Sequence, residues 1–258
     1  APTIDLDTTD AGTNNSSQLG TTDGFVEADG ADTDASPVSN NNVKLVADST
    51  GTSLEDLDGD LASLKISYPV ALTDSDQLII GGTAFDLDTA DTGTQVQVGS
   101  VYFKVTVDAT ADPHFVNIES YDAAIATGSA AAATVAEFEA LLDGIEYNNT
   151  SDAPTEGNRV FTLVATDDAG GVNAGVTATI QVTATNDTPV VTLGSATPEF
   201  TEGGSSVVVN DGVTISDRDT NDVLSHAKVT IANVQTGDVL DLPSNAAYST
   251  VTPNYDSS

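Results

Sequence analysis

The stretch RVFTLVATDDAGGVNAGVTATIQVTAT, residues 159–185, reads as two strand-like runs folded back around the turn-forming DDAGG. In its second half Val176, Ala178, Ile180, Val182 and Ala184 recur at every other position, which puts them on one face of an extended chain. The same period appears elsewhere. VYFKVTVD carries Val101, Phe103, Val105 and Val107 on one face, and LASLKISY carries Leu64, Ile66 and Tyr68. Gly, Asp, Asn and Pro bound these runs, and many short strands with polar turns predict a β-sandwich. One segment breaks the pattern. TVAEFEALLDG places Val135, Phe138, Leu141 and Leu142 at helical spacing with Gly144 as a stop, and predicts a short helix covering an open end of the sandwich. The first 40 residues, rich in Asn, Ser, Thr, Asp and Gly, are expected to form long surface loops.

The chain of 258 residues holds 40 acidic and 6 basic side chains, a formal charge of −34. Nucleic acids and anionic membrane surfaces need a basic footprint, so neither is an expected partner. Charge of this size opposes compaction unless something neutralises it. There is no Cys, hence no disulfide staple, and no run of apolar residues long enough to span a membrane. The opening APTIDLD lacks the basic-then-apolar pattern of a signal peptide, so the expectation is a processed product or a piece of something longer.

An internal repeat is visible. FVEADG (25–30) resembles FTEGG (200–204), EDLDGDLASLKI (55–66) resembles SDRDTNDVLSHAKVTI (216–231), and DQLII (76–80) resembles DVLDL (238–242). The reading is one complete repeat over 1–187 and the first part of a second over 188–258, with the boundary in TNDTPVV (185–191).

The repeat carries its acids with it. LEDLDGDL (54–61) crowds Glu55, Asp56, Asp58 and Asp60 into eight residues, and Asp-x-Asp returns at Asp217/Asp219. Each pair lies after a loop glutamate, Glu27 or Glu202, and between the copies stands Asn186-Asp187, with Pro189 just beyond. Two carboxylates about 5 Å apart repel by roughly 0.8 kcal/mol in water and several-fold more near protein. A hard divalent cation removes that cost. Ca²⁺ takes six to eight oxygens from carboxylates, amides and carbonyls, whereas Mg²⁺ demands tight octahedral geometry. Zn²⁺ lacks ligands in a chain with no Cys and two His. Calcium is therefore the expected ion, on Asn186, Asp187, Glu202, Asp217 and Asp219. DLDTTDAG (Asp5, Asp7, Asp10) and DLDTADTG (Asp86, Asp88, Asp91) share a spacing that resembles the start of an EF-hand loop. Both lack the sixth-position glycine and the terminal glutamate, which leaves solvated acidic turns or single-loop calcium sites. TSDAPTEGN (Asp152, Glu156, Asn158) reads as a polar turn or a further calcium site.

The order Glu, Asp-x-Asp, Ala-Thr-Asp-x-x-Gly, Asn-Asp-x-Pro resembles the cadherin pattern. FEALLDGIEYNNTSDAPTEGNRVFTLVATDDAGGVNAGVTATIQVTATNDTPVV is similar to the cadherin-like tandem repeats of very large bacterial calcium-dependent (RTX-type) surface adhesins. The resemblance implies an all-β, Greek-key cadherin/Ig-like sandwich with one inserted helix, then a partial second sandwich, with Ca²⁺ clamped at the junctions. By carry-over, Glu202, Asp217 and Asp219 would meet Asp167, Asn186 and Asp187 at one interface. Glu27, Asp56 and Asp58 would serve a preceding unit. The implied setting is extracellular, on a bacterial surface or secreted, with neighbouring repeats or identical chains as partners. The lack of Trp excludes adhesion by strand-swapped tryptophan.

Catalytic signatures are missing: no GxSxG, HExxH or P-loop. His114 and His226 read as ordinary strand histidines. Lys44, Lys65, Lys104 and Lys228 read as solvated strand residues rather than isopeptide donors, and the Asn-x-Ser/Thr matches at 14–16 and 148–150 as coincidence. The expected role is a calcium-rigidified structural or adhesive module. The rivals are a self-assembling filament subunit completed by strand exchange, and a calcium-dependent binder of glycans, proteins or peptides using the loops at 8–42.

Overall fold

The computed structural model describes residues 1–6, 17–19, 24–27, 42–46, 53–57, 59–69, 75–195, 197–219 and 223–242. The chain divides into two compact units, Ala1–Thr220 and Asn221–Ser258. The first is an all-β sandwich with one short helix. Its strands are β1 (Thr3–Asp5), β2 (Ser17–Leu19), β3 (Phe25–Val26), β4 (Val43–Lys44), β5 (Ser53–Glu55), β6 (Leu61–Tyr68), β7 (Asp76–Ile80), β8 (Thr83–Asp86), β9 (Asp91–Val98), β10 (Val101–Asp108) and β11 (His114–Tyr121). After helix α1 (Val135–Asp143) come β12 (Glu146–Asn149), β13 (Gly157–Asp167), β14 (Val176–Thr183), β15 (Val190–Thr192) and β16 (Thr214–Ser216).

The large sheet runs β2-β14-β13-β6-β11-β10-β9, with β3 also on β14. The facing sheet runs β4-β12-β7-β8. Alternation places the core as the pattern demands. Phe103, Val105 and Val107 of β10, Leu64, Ile66 and Tyr68 of β6, and Val176, Ala178, Ile180 and Val182 of β14 are all buried. Aromatic rings join the layers. Tyr147 of β12 meets Phe25 of β3 edge-on at 5.4 Å between centroids and Phe161 of β13 at 6.2 Å.

The hairpin read from 159–185 forms as β13 and β14, paired antiparallel from Gly157↔Val182 to Leu163↔Val176. The N-terminal loop reading needs correction. β2 and β3 are strands that pair in parallel with β14, Ala178 opposite Ser17 and Val182 opposite Phe25. The turn-rich composition around them hid segments too short to show a period.

Helix α1 begins at a capping box. Thr134 Oγ1 accepts from Glu137 N–H at 3.3 Å while Glu137 Oε2 accepts from Thr134 N–H at 2.8 Å. Phe138, Leu141 and Leu142 are buried, Phe138 edge-on to Phe103 at 5.3 Å, and Gly144 closes the helix as its C-cap.

One buried knot escaped the sequence reading. Asp76 of β7 lies beneath the facing sheet and pairs with Arg159 of β13 at 3.1 Å. Its Oδ1 also accepts from Asn149 Nδ2 at 3.0 Å and from the Tyr147 hydroxyl. The desolvated, carboxylate-bonded Tyr147 phenol is held well above its ordinary pKa. A buried ion pair is tolerable only when its remaining donors are satisfied, and Arg159 meets that condition. Its Nη2 donates to the Thr155 carbonyl at 2.9 Å.

In the first unit β15 and β16 form a separate two-stranded sheet, antiparallel from Val190↔Ser216 to Thr192↔Thr214. Repeat partners differ sharply in burial. Phe25 is fully buried and Phe200 is 64 % exposed. In the second unit, residues 223–242 contain turns but no strand among the described residues. There Val229 is 70 % exposed. The proposed repeat boundary at 185–191 falls inside the first unit.

Removing one partner of the buried pair tests this core. Arg159→Leu leaves Asp76 buried without its counter-ion and should cost about 3–5 kcal/mol, read from urea denaturation. Thr134→Ala should cost only about 1 kcal/mol. Equal losses in the two variants would contradict the role assigned to Arg159.

Candidate metal junction

Strand direction decides which acids meet. β13 covers eleven residues, roughly 33 Å. β14 returns antiparallel, so the segment Thr185-Asn186-Asp187, just past the end of β14, emerges where β13 began. Since β3 runs parallel to β14, Glu27 emerges at that same end. Its backbone N–H donates to the Thr183 carbonyl at 3.1 Å, and Thr185 N–H donates to Glu27 Oε2 at 3.0 Å. Likewise β16 returns along β15 to the linker, which brings Asp217 and Asp219 back to it. Asp187 N–H donates to Asp219 Oδ2 at 2.6 Å, and Asp219 N–H donates to Asp217 Oδ1 at 3.4 Å. Asp152, in the loop between β12 and β13, belongs to the same end and pairs with Arg218 at 3.1 Å.

Glu27 feels this crowding. It is nearly inaccessible, and burial pushes its pKa up to about 7, helped by the charges of Asp187, Asp219 and Asp152 and opposed by the Thr185 hydrogen bond. Asp187 is buried, and Asp217 Oδ2 is a buried oxygen without a hydrogen-bond partner among the described residues. Such oxygens are costly unless a cation or donor serves them. Among the described residues no three Asp, Glu or His side chains converge tightly enough to form a finished metal centre. The groups brought near one another are nonetheless all hard oxygen donors, the chemistry that suits Ca²⁺.

The expected partners are therefore redistributed. Glu27 joins Asp187, Asp219 and Asp152 rather than Asp56, because β3 and the segment before β6 deliver them to opposite ends. Asp167 ends β13 and sits with Asp56, away from Asn186 and Asp187. Asp168 N–H donates to the Asp60 carbonyl at 3.0 Å there, and the Ala1 nitrogen lies 3.4 Å from Asp167 Oδ2 and 3.8 Å from Asp56 Oδ1. Asp167 Oδ1 accepts from the N–H groups of Gly171 at 2.6 Å and Ala169 at 2.9 Å, and the Gly171 bond, with the Ala1 nitrogen and the Ala169 bond, holds its pKa below the usual carboxylate range. The approach is so close that a Cβ on Gly171 would stand 2.4 Å from Asp167 Oδ2. The Asp56 side chain is wholly buried. Glu202 is exposed in a turn closed by Gly204 N–H on the Thr201 carbonyl.

Asp86, Asp88 and Asp91 do not converge either. The segment carrying them crosses from edge strand β8 to edge strand β9 of the other sheet, and each carboxylate takes a local partner. Gln77 Nε2 donates to Asp86 at 2.6 Å, the Thr89 hydroxyl to Asp88 at 3.0 Å, and Gly93 N–H to Asp91 at 2.7 Å. A cavity of about 150 Å³ lies beside this crossing. Asp58, Asp7 and Asp10 lie outside the described residues. His114 is buried against Tyr68, and Lys65 stands 3.9 Å above the Phe115 ring. Asp152 was the residue sequence reading underweighted. Its signal was position, since it precedes β13 as Asn186 follows β14.

Comparison with known proteins finds no match: no family model, no curated protein and no solved structure is significantly similar to the chain. No helix among the described residues is long and apolar enough to cross a membrane.

Raised above its unfolded value of 4.5, Glu27 stabilises the metal-free fold while protonated, fully below pH 4.5, and that contribution is lost as pH rises through about 7. In EDTA the melting temperature should therefore fall between pH 5 and 8, by the equivalent of at most about 3 kcal/mol. Glu27→Gln should flatten the profile across this range; an unchanged slope would show that other groups govern it.

Proposed function

We propose that this chain is an extracellular structural or adhesive repeat module whose junction is stiffened by Ca²⁺. The observation that supports the reading is that strand direction delivers the segments carrying Glu27, Asn186, Asp187, Asp217 and Asp219, from both sides of the 185–191 linker, to one end of the sandwich. These residues would hold the ion through carboxylate and amide oxygens. The ion would neutralise their mutual repulsion and fix the linker, the task a disulfide performs in chains that contain cysteine. A second cluster, Asp56 with Asp167, supports a like arrangement at the opposite end, toward a preceding repeat. The resemblance to cadherin-like repeats of bacterial surface adhesins supports the same assignment.

Calcium at 10–100 times its dissociation constant adds about 1.4–2.7 kcal/mol, roughly 3–10 °C in melting temperature at this size. Calorimetry in calcium and in EDTA reads it directly. Glu27→Gln combined with Asp187→Asn should abolish the calcium increment, and identical melting of the wild-type protein in both buffers would remove the proposal.

A second reading rests on a different observation. Val191, Leu193, Phe200, Val208, Val209 and Ile215 are exposed in the first unit, and Val223, Val229 and Val239 in the second. Apolar strands left uncovered invite added strands, which favours a filament subunit completed by a neighbouring chain. Light scattering at high protein concentration with calcium should then show growing assemblies, and a strictly monomeric protein would eliminate this alternative.

A further inference from the structure

The chain has two arginines, and both serve the loop that carries Asp152. Arg159 grips it from inside, through Nη2 to the Thr155 carbonyl at 2.9 Å and its buried pairing with Asp76 at 3.1 Å. Ser151 N–H donates to Asn149 Oδ1 at 2.8 Å, and Ala153 N–H to Ser151 Oγ at 3.2 Å, so the residues flanking Asp152 are fixed as well. Arg218 reaches it from outside, across the linker, with Nη1 3.1 Å from Asp152 Oδ2. Arg218 stands between Asp217 and Asp219, directly after β16. The same three residues thus contain two acids of the junction and the cation that ties them to the sandwich body.

We propose that the Asp152–Arg218 ion pair is a metal-independent latch, which docks the segment beyond the linker onto the sandwich and so holds Asp217 and Asp219 beside Asp187 before any cation enters. An exposed ion pair is usually weak, because two long side chains must be ordered for it. Here the side chains are 39 % and 21 % exposed, and the acidic partner is short and on an immobilised loop, so little freedom is lost. Arg218 also places one positive charge among Asp152, Asp187, Asp217 and Asp219, acids that otherwise repel one another. Arg218 is a positioning residue in this scheme, not a ligand. The proposal rests on the junction reading only for the identity of the ion that enters, since the latch itself acts without metal.

The test uses the full chain, which has no native cysteine to interfere. Spin labels on Glu156→Cys and Asp211→Cys, both exposed and on the two sides of the linker, report the separation by pulsed dipolar spectroscopy. In EDTA at low salt the otherwise wild-type chain should give one narrow distance distribution. Arg218→Ala should at least double its width, and Asp152→Asn should do the same. The double variant should be no broader than either single one, because each removes the same contact. Salt at 1 M should broaden the unsubstituted chain alone, as expected for a screened ion pair. Widths unchanged in both single variants, or broadening that adds in the double variant, would overturn the latch. Circular dichroism of each variant guards against lost folding, and the milder Arg218→Lys should fall between Ala and the native residue. Calcium should narrow every variant again. Its failure to do so would count against the metal reading and leave the comparison in EDTA intact.

Discussion

Forty carboxylates share this chain with six cationic side chains, so the placement of positive charge decides which parts can lie close together. Among the described residues many acids, such as Glu55, Asp60, Asp86, Asp88 and Glu202, are simply exposed to water. Where acids must approach, each approach has its own neutraliser. Inside the sandwich it is Arg159 on Asp76. At the linker it is Arg218 on Asp152, together with backbone N–H groups and a Glu27 carboxyl whose burial favours its protonated form. At the far end, backbone N–H groups of the β13–β14 loop bind Asp167. The proposed calcium would extend this series, serving oxygens such as Asp217 Oδ2 that no side chain or backbone group among the described residues reaches.

The acids at the two ends are sorted by strand direction alone. An antiparallel return brings the chain back to its starting end, and a parallel partner leaves at the same end as its neighbour. Glu27, Asp187 and Asp219 come from segments far apart in sequence, yet β3, β14 and β16 all finish at the linker. Asp56 and Asp167 lie where β6 begins and β13 finishes. The opposite ends of one sandwich therefore carry separate acidic groups.

The sandwich was legible because its strands bury one face and expose the other. Phe103, Val105 and Val107, or Val176 through Val182, announce their side of the sheet without any help from tertiary structure. The helix was legible from its apolar spacing and its stop at Gly144. The short strands β2 and β3 were not, since two or three residues cannot display a period and their partner is remote. The candidate site was legible in residue type and not in grouping. Asp167 and Asn186 are neighbours across a hairpin in sequence, but the length of β13 separates them in space. Counting strand reversals along the sequence would have sorted them correctly. The Asp76–Arg159 pair was invisible, because nothing local distinguishes a buried carboxylate from a solvated one.

The parallel pairing of β3 with β14 also has a mechanical side. These strands lie side by side near the two ends of the sandwich sequence, so tension applied upstream of Phe25 and downstream of Thr183 pulls them in opposite directions along their common axis. Their hydrogen bonds run across that axis and are loaded together in shear, rather than being peeled open one at a time as in a hairpin tugged at its tips. Strands joined in this way should resist separation along their axis more than a hairpin with as many bonds.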